Sequence, residues 1–306
     1  FYDWSLKHFT TTDLIAEEIH QLGYREIDRV VADIRRVTAT LGYPADLSIP
    51  EIFQRVANES GFVTGSQIKS TYERIIGIAE VRLPDAFDRL PEQPVVVIGG
   101  QFGGFYLAAS EDGSRPGAFY AGTIGSEPFY PMRSLAYHEA VPGHHLQIAL
   151  ARESDLPDFQ RQVTYAGFSE GWALYAERLA AELGWYNGDA YGDLGRLQFE
   201  LIRAVRLAVD TGIHRYGWSW EEAVTFYQEN TGASRRSAEG NIGRFLRWPG
   251  QATAYLTGML RVLELRERYQ AHRGNAYTLG EFHSLVLDNG SIPLDILEEH
   301  VQSVID

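Results

Sequence analysis

The chain has 306 residues, of which 44% are hydrophobic and 22% charged, a composition typical of globular proteins. Its formal net charge of −14 argues against nucleic acid as a partner, because phosphate-binding surfaces need clustered lysine and arginine. Cysteine is absent, so disulfides and thiolate metal sites are excluded, and any metal ion must be held by histidine, aspartate or glutamate. No run approaches the roughly 20 apolar residues that a membrane span requires.

The first ninety residues are predicted to be helical. The threonines at 10–12 are typical of a helix N-cap, which predicts a helix over 13–22 with only a brief interruption at Gly23. Apolar residues then recur at helical spacing up to residue 41, and two more helices are predicted over 50–60 and 67–82. The chain begins with Phe1 rather than methionine, and we expect further sequence upstream of it.

A change of pattern at Pro91 predicts a small β-sheet. Three short β-branched or aromatic runs, over 95–98, 105–108 and 118–121, are separated by glycine-rich turns, the last of them over 112–117. Helical spacing returns at residue 131 and persists to the end. We therefore predict a mainly α protein with a small antiparallel sheet, in a single domain over 1–306. Its parts are a helical segment (1–90), the sheet (91–130) and a metal-bearing helical segment (131–306).

Residues 137–147, Tyr-His-Glu-Ala-Val-Pro-Gly-His-His-Leu-Gln, are the most informative stretch. In the simple zincin motif, two histidines four residues apart on a helix bind one zinc ion, and the glutamate after the first activates water. Here Pro142 stands at the fourth position. A two-residue bulge at 142–143 would bring His144 to the face of His138, with Glu139 as the base. His145 is the alternative ligand, although a regular helix would place it about 10 Å further along the axis.

A third ligand is expected from a later helix, over 168–177. Glu170 lies near the predicted start of that helix, and Gly171 would permit the close approach of another backbone. Glu177 lies two turns further on nearly the same face, where it could orient a ligand histidine through a hydrogen bond. The alternative interpretation is that both acids belong to a solvated helix face.

Two further positions, His214 and Tyr255, are candidates for catalysis, with Asp210 as a residue that orients His214 and Gln251 as a substrate contact. Asp210 and His214 are four residues apart, so an aspartate could steady a catalytic histidine on one helix face. Gln251 and Tyr255 have the same spacing after a Pro-Gly pair, and a tyrosine hydroxyl could donate to the oxyanion of the reaction. Surface or packing roles for His214 and Tyr255 remain open alternatives.

Two further pairs could bind substrate. Arg203 and Arg206 could clamp a substrate carboxylate, or they could form structural ion pairs in an acidic protein. If the strand over 117–122 is an exposed edge, an extended substrate could pair with it, and Phe119 and Tyr120 would line the cleft. That strand could equally lie inside the sheet.

These motifs together resemble a known family. The chain is similar to the bacterial DUF885 family, which is regarded as a relative of the gluzincin metallopeptidases. The matching segments are 9–12, 18–23, 112–117, 138–147, 170–177, 209–214 and 249–252. The resemblance implies a gluzincin-like zinc architecture. Members are usually nearly twice this length, so the chain resembles the C-terminal, metal-bearing half and lacks their upstream helical portion. Better-known gluzincins carry a second acid about one turn after the ligand glutamate, where this chain has Ala173 and Leu174.

Three functions are compatible with these residues. The first is a zinc-dependent peptidase that acts on oligopeptides, with Glu139 as general base. The second is a zinc-dependent amidohydrolase or esterase that uses the same centre on a small acyl or modified amino-acid substrate. The third is a non-catalytic binding domain stabilised by zinc. Structural zinc sites normally have four protein ligands, often cysteines, which disfavours the third function.

Overall fold

A computed structural model describes residues 1–110, 112 and 114–306. Residue 113, in the turn predicted over 112–117, lies outside the described residues, as does residue 111. The helices up to residue 162 are α1 (Tyr2–Thr10), α2 (Ala16–Thr40), α3 (Ile49–Ser60), α4 (Ser66–Arg82), α5 (Met132–Glu139), α6 (His144–Arg152) and α7 (Asp158–Gln162). The later helices are α8 (Ala166–Glu182), α9 (Ala190–His214), α10 (Trp220–Thr231), α11 (Arg235–Arg247), α12 (Ala254–Arg273), α13 (Leu279–Leu287) and α14 (Leu294–Ile305).

The strands are short. They are β1 (Phe62–Thr64), β2 (Val96–Gly100), β3 (Phe105–Leu107), β4 (Ala118–Gly122) and β5 (Ser126–Pro128). The chain is therefore mainly α with small sheets, as the sequence predicts. Within the described residues, no helix combines the length and the apolar composition needed to cross a bilayer.

Helix α3 shows how local sequence sets a helix start. The Ser48 hydroxyl accepts a hydrogen bond from the Glu51 N–H, and the Glu51 carboxylate accepts one from the Ser48 N–H at 2.7 Å. This reciprocal pair satisfies two backbone donors that the first helical turn leaves free, and Pro50 supplies a compatible backbone angle. The same serine–glutamate pair begins α10 at Ser219. Helices α3 and α4 begin and end within one residue of their predicted bounds.

The structure contains the predicted helix over residues 16–22, but the predicted cap at 10–12 and the interruption at Gly23 are wrong. Thr10 ends α1 and its hydroxyl donates to the Leu6 carbonyl oxygen at 2.8 Å, while Thr11 has a positive φ of 50°. Helix α2 begins only at Ala16, where the Glu18 carboxylate accepts a hydrogen bond from the Ile15 N–H. It then continues through Gly23, which lies against the backbone of α9. The threonines therefore end one helix rather than begin the next.

The sheet is mixed rather than purely antiparallel. Strand β4 lies in the centre of a three-stranded sheet, parallel to β2 and antiparallel to β3, in the order β2-β4-β3. Strands β1 and β5 form a separate antiparallel pair. Because β4 is interior, Phe119 is fully buried and packs edge-on against Tyr72. The two edges of this sheet are β2 and β3, and the strand over 117–122 is not an edge.

Two long helix pairs form the framework. Helix α2 packs along α9, and α8 packs along α12. A continuous cluster of buried apolar side chains extends in sequence from Leu6 to Val301. Helices α5 and α6 pack against α8, which places the segment around His138 next to the middle of the α8–α12 pair.

The closest contact between α8 and α12 occurs at two glycines. A Cβ atom added to Gly171 would lie 2.5 Å from the Cα atom of Gly258, and one added to Gly258 would overlap the backbone of Gly167. The prediction that Gly171 permits close approach of another backbone is confirmed. This contact sets the close approach of α8 to α12 at these glycines.

We predict that Gly171→Ala lowers the free energy of unfolding by about 1–3 kcal/mol, because the added methyl group must push two backbones apart. Gly77→Ala is the matched control, since Gly77 is also helical and has open space around its Cβ position. That control should be neutral or stabilising by about 0.4–1 kcal/mol. Urea unfolding of the three proteins measures the difference. Equal stabilities for both variants would contradict this account of the contact.

A buried aspartate ties three segments together. Asp210, on α9, is fully buried, and its Oδ1 accepts hydrogen bonds from the Tyr2 hydroxyl at 2.7 Å and from the Gly250 N–H at 2.9 Å. The prediction that Asp210 steadies His214 is wrong, because α1 places the Tyr2 hydroxyl against the Asp210 carboxylate. The His214 Nε2 instead lies 3.1 Å from the carbonyl oxygen of Phe245.

Burial raises the pKa of Asp210 from its ordinary value near 4 to about 7, although the bonds from Tyr2 and Gly250 act in the opposite direction. Between these two pH values the folded state holds a proton that the unfolded state has lost. The free energy of unfolding should therefore fall as the pH rises from about 4 to about 7.

We predict that Asp210→Asn removes this part of the pH dependence, because the amide stays neutral. Relative to the wild type, the variant should gain on the order of 2–4 kcal/mol between about pH 4 and pH 8. Chemical unfolding across this range measures it, with Asp28→Asn, an exposed position on α2, as the control. Parallel stability curves for the wild type and Asp210→Asn would show that Asp210 keeps an ordinary pKa.

Candidate metal centre

The segment from His138 to His144 is a helix–turn–helix, not one bulged helix. Helix α5 ends at Glu139, residues 140–143 form the turn, and α6 begins at His144. Gly143 is required there, since a Cβ atom would overlap the carbonyl oxygens of Tyr137 and His138. The turn is held from α8 by the Trp172 indole N–H, which donates to the Pro142 carbonyl oxygen at 3.0 Å.

This turn brings together the three predicted ligands. The Nε2 atoms of His138 and His144 each lie 3.4 Å from Oε2 of Glu170, and the three donor atoms all lie within 4.8 Å of one another. Donor atoms around a tetrahedral zinc ion, with bonds of about 2.0–2.1 Å, are separated by about 3.3–3.4 Å. The two separations between histidine and glutamate match this value, and the three residues together could hold a metal ion.

Glu177 orients the first of these ligands. Its Oε1 lies 2.8 Å from Nδ1 of His138, and the Ser134 hydroxyl donates to its other oxygen. Because the Glu177 carboxylate accepts a hydrogen bond from Nδ1 of His138, Nε2 is left facing Glu170, where it could bind a metal ion. The Glu177 side chain is only 1% exposed, so this hydrogen bond is shielded from water.

The centre favours positive charge. Burial alone would lower the pKa of His138, but hydrogen bonds to Glu170 and Glu177 outweigh it and raise the pKa to about 10. Burial would raise the pKa of Glu170, yet the bonds from His138 and His144 bring it well below its ordinary value. The carboxylates of Glu170 and Glu177 thus stabilise positive charge at His138, which agrees with the donor chemistry of a metal site.

Glu139 lies beside the three ligands and is held by an edge strand. The backbone N–H of Tyr106, in β3, donates to Oε2 of Glu139 at 2.8 Å. Burial raises the pKa of Glu139 above its ordinary range, although the charges of His138 and His144 lower it in part. A carboxylate with this environment can accept a proton near neutral pH.

His145 points away from the other two histidines. Its Nδ1 lies 3.0 Å from the Tyr106 hydroxyl, and its Nε2 lies 2.9 Å from the carbonyl oxygen of Gln93. Both ring nitrogens are thus occupied, and the structure places His144, not His145, beside Glu170. His145 supports Tyr106, which in turn holds Glu139.

A cavity of about 500 Å³ opens from this centre. Tyr255 lines it, with the guanidinium groups of Arg203 and Arg206 at 5.6 and 4.9 Å from the centre of its ring. All three residues were predicted site positions, and the structure gathers them in the cavity that holds His138 and Glu170.

The other candidates lie elsewhere. His214 bonds to the backbone of α11, and the Gln251 side chain accepts a hydrogen bond from Arg244 at 3.0 Å. Phe119 is in the core, because β4 is the interior strand. Tyr120 stacks on Phe105 with their ring centres 5.0 Å apart.

Sequence reasoning missed two residues of the site, Tyr106 and Arg244. Tyr106 lies in a correctly predicted strand, but its role depends on which strand forms the edge, and strand order is not local information. Arg244 lines the same cavity from α11. Its three-residue spacing from Asn241 indicates a shared helix face, which resembles any solvated face in the sequence.

Two solved structures share this fold over the whole chain. A protein described as a "putative lipoprotein" from Colwellia psychrerythraea has a TM-score of 0.94 and 35% identity, and the match covers 100% of this chain and 55% of that one. Another, a "putative lipoprotein of unknown function" from Shewanella oneidensis, has a TM-score of 0.87 and 22% identity, with 59% of it covered. The chain thus spans little more than half the length of both proteins.

No curated protein matches the chain. A family model described as "Bacterial protein of unknown function (DUF885)" matches residues 1–301. Since this match covers nearly every residue, the chain belongs to the bacterial DUF885 family.

Proposed function

We propose that this chain is the metal-binding part of a zinc-dependent peptidase of gluzincin type. The observation that carries the proposal is the convergence of His138, His144 and Glu170 on one point, with Glu139 in the same cavity. Two imidazoles and one carboxylate are the ligand set of several zinc peptidases, and three protein ligands leave a coordination position open for reaction.

The donor set favours zinc over other common divalent ions. Magnesium and calcium prefer sites made of oxygen atoms, whereas two imidazoles suit zinc. When bound, zinc polarises a substrate carbonyl and lowers the pKa of a water molecule.

The reaction assigns a task to each nearby side chain. Glu139 accepts a proton from the attacking water and returns it to the amine nitrogen as the carbon–nitrogen bond breaks. Tyr255 can donate its hydroxyl proton in a hydrogen bond to the oxyanion. The Tyr106 N–H keeps the Glu139 carboxylate in position before substrate enters.

A second candidate uses the same centre on smaller substrates. A cavity of about 500 Å³ lies within the range of small-molecule pockets, about 300–1,000 Å³, which is compatible with an amidohydrolase or esterase. Digestion of a peptide library, read by mass spectrometry with and without a chelator, separates the two. Chelator-sensitive cleavage at defined positions supports the peptidase, whereas an intact library favours the smaller substrates.

We predict that Glu139→Gln retains zinc but loses turnover by about 10²–10⁴-fold, because the amide cannot accept the water proton. Metal content after dialysis and the rate of peptide cleavage are the two measurements. Full activity in this variant would falsify the assignment of the base.

We predict that His144→Ala loses zinc, whereas His145→Ala retains it. The two histidines are adjacent in sequence and both are largely buried, so the pair forms a matched test of which imidazole is a ligand. Elemental analysis after dialysis gives the stoichiometry, and circular dichroism checks that both variants are folded. Stoichiometric zinc in folded His144→Ala would remove His144 from the ligand set.

A further inference from the structure

Three arginines face the same cavity as the metal ligands. Arg203 and Arg206 come from α9 and Arg244 comes from α11, and all three line the cavity together with residues of β3. We call these three residues the arginine wall. Their convergence from two helices is unexpected in a chain with a net charge of −14, where cations are in the minority.

Few carboxylates lie close to the arginine wall. Among the described residues, no carboxylate lies within 4.0 Å of the guanidinium nitrogens of Arg206 or Arg244. Arg203 is 3.9 Å from Glu177, an acid that is already bonded to His138 and Ser134.

The hydrogen-bonding capacity of these groups is also only partly used. The Nε atoms of all three arginines are buried, and none has an acceptor in the described part of the chain. Arg203 donates from another nitrogen to the Phe199 carbonyl oxygen, and Arg244 donates to Gln251. A guanidinium carries five N–H donors, so most donors of these three groups are free to bind an anion in the cavity.

Arg203 carries this argument furthest. The residue is only 8% exposed, and a buried guanidinium without a bonded anion is costly. Burial and the neighbouring charge of Arg206 lower the pKa of Arg203, against the attraction of Glu177. The ring of Tyr255 stacks against Arg203 and Arg206 and restricts their orientation. The two cations are thus held in place before a ligand arrives.

We propose that the arginine wall binds a carboxylate of the substrate, so that the enzyme acts on amides that carry a carboxylate close to the bond that breaks. A guanidinium offers two parallel N–H groups that match the two oxygens of a carboxylate. In a peptide this group is either the C-terminal carboxylate or an aspartate or glutamate side chain. This inference rests on the proposed function, because the same cavity holds the reaction centre.

The test compares three peptides of otherwise identical sequence. One ends in a free carboxylate, one in a carboxamide, and one in a carboxamide with an internal glutamate. A carboxylate-bearing peptide should show a KM at least tenfold lower than the neutral peptide, as expected for charge-assisted hydrogen bonds. The peptide that gains this advantage identifies the source of the carboxylate.

Two variants and one control connect the preference to the arginine wall. Arg206→Gln and Arg244→Gln should each reduce the ratio of KM values towards one. Arg247→Gln, an exposed position on the same helix as Arg244, should keep the wild-type ratio. Equal KM values for all three peptides in the wild type, with cleavage intact, would overturn the inference and leave the peptidase proposal standing.

Binding provides a readout that does not need turnover. Calorimetry with Glu139→Gln compares N-acetyl-leucine, which has a carboxylate, with N-acetyl-leucinamide, which lacks it. We expect the acid to bind at least tenfold more tightly, and Arg206→Gln to abolish the difference. If the acid binds more tightly in this way but the wild type cleaves no peptide, the arginine wall is supported and the peptidase proposal is refuted. A preference for the acid that survives Arg206→Gln and Arg244→Gln would place the carboxylate on the metal and refute the inference.

Discussion

The hydrogen bond between Nδ1 of His138 and Glu177 fixes the centre on which the functional argument rests. It turns the imidazole so that Nε2 faces Glu170 and His144. Both acids come from α8, seven residues apart, and two turns of an α-helix place them on nearly the same face. Helix α8 therefore supplies the candidate ligand Glu170 and also Glu177, which orients His138. The position of α8 determines where both carboxylates lie.

The position of α8 depends in turn on contacts that allow little variation. On one side, Gly171 lies against Gly258 of α12 with no room for a methyl group. On the other side, the indole of Trp172 holds the turn that separates α5 from α6. Neighbouring residues of α8 thus connect the helical framework to the metal-binding turn. A shift of this helix would move Glu170 relative to both imidazoles.

Local signals predicted much of the fold and most of the centre. Local sequence patterns predicted α3 and α4 within a residue of their bounds, the dense histidine motif predicted His138 and His144, and the segment 168–177 predicted Glu170. Features that depend on distant contacts were wrong or missed. The order β2-β4-β3 depends on pairing between strands that are distant in sequence, so neither the burial of Phe119 nor the edge position of Tyr106 could be predicted from alternation alone. Asp210 likewise accepts a hydrogen bond from Tyr2, which is 208 residues away in sequence, and not from His214 as predicted.

Tyr106 joins two parts of the centre through different atoms. Its backbone N–H donates to Glu139, and its hydroxyl lies 3.0 Å from Nδ1 of His145, next to Gly117, which immediately precedes β4. A side chain at position 117 would collide with that hydroxyl and with the His145 ring. The atoms nearest to this position belong to Tyr106 and His145 and not to His138, His144 or Glu170, so a bulkier residue there would act first on the support of Glu139. A glycine outside the His138–His144–Glu170 group thus restricts the packing around Glu139, although its own side chain is a single hydrogen atom.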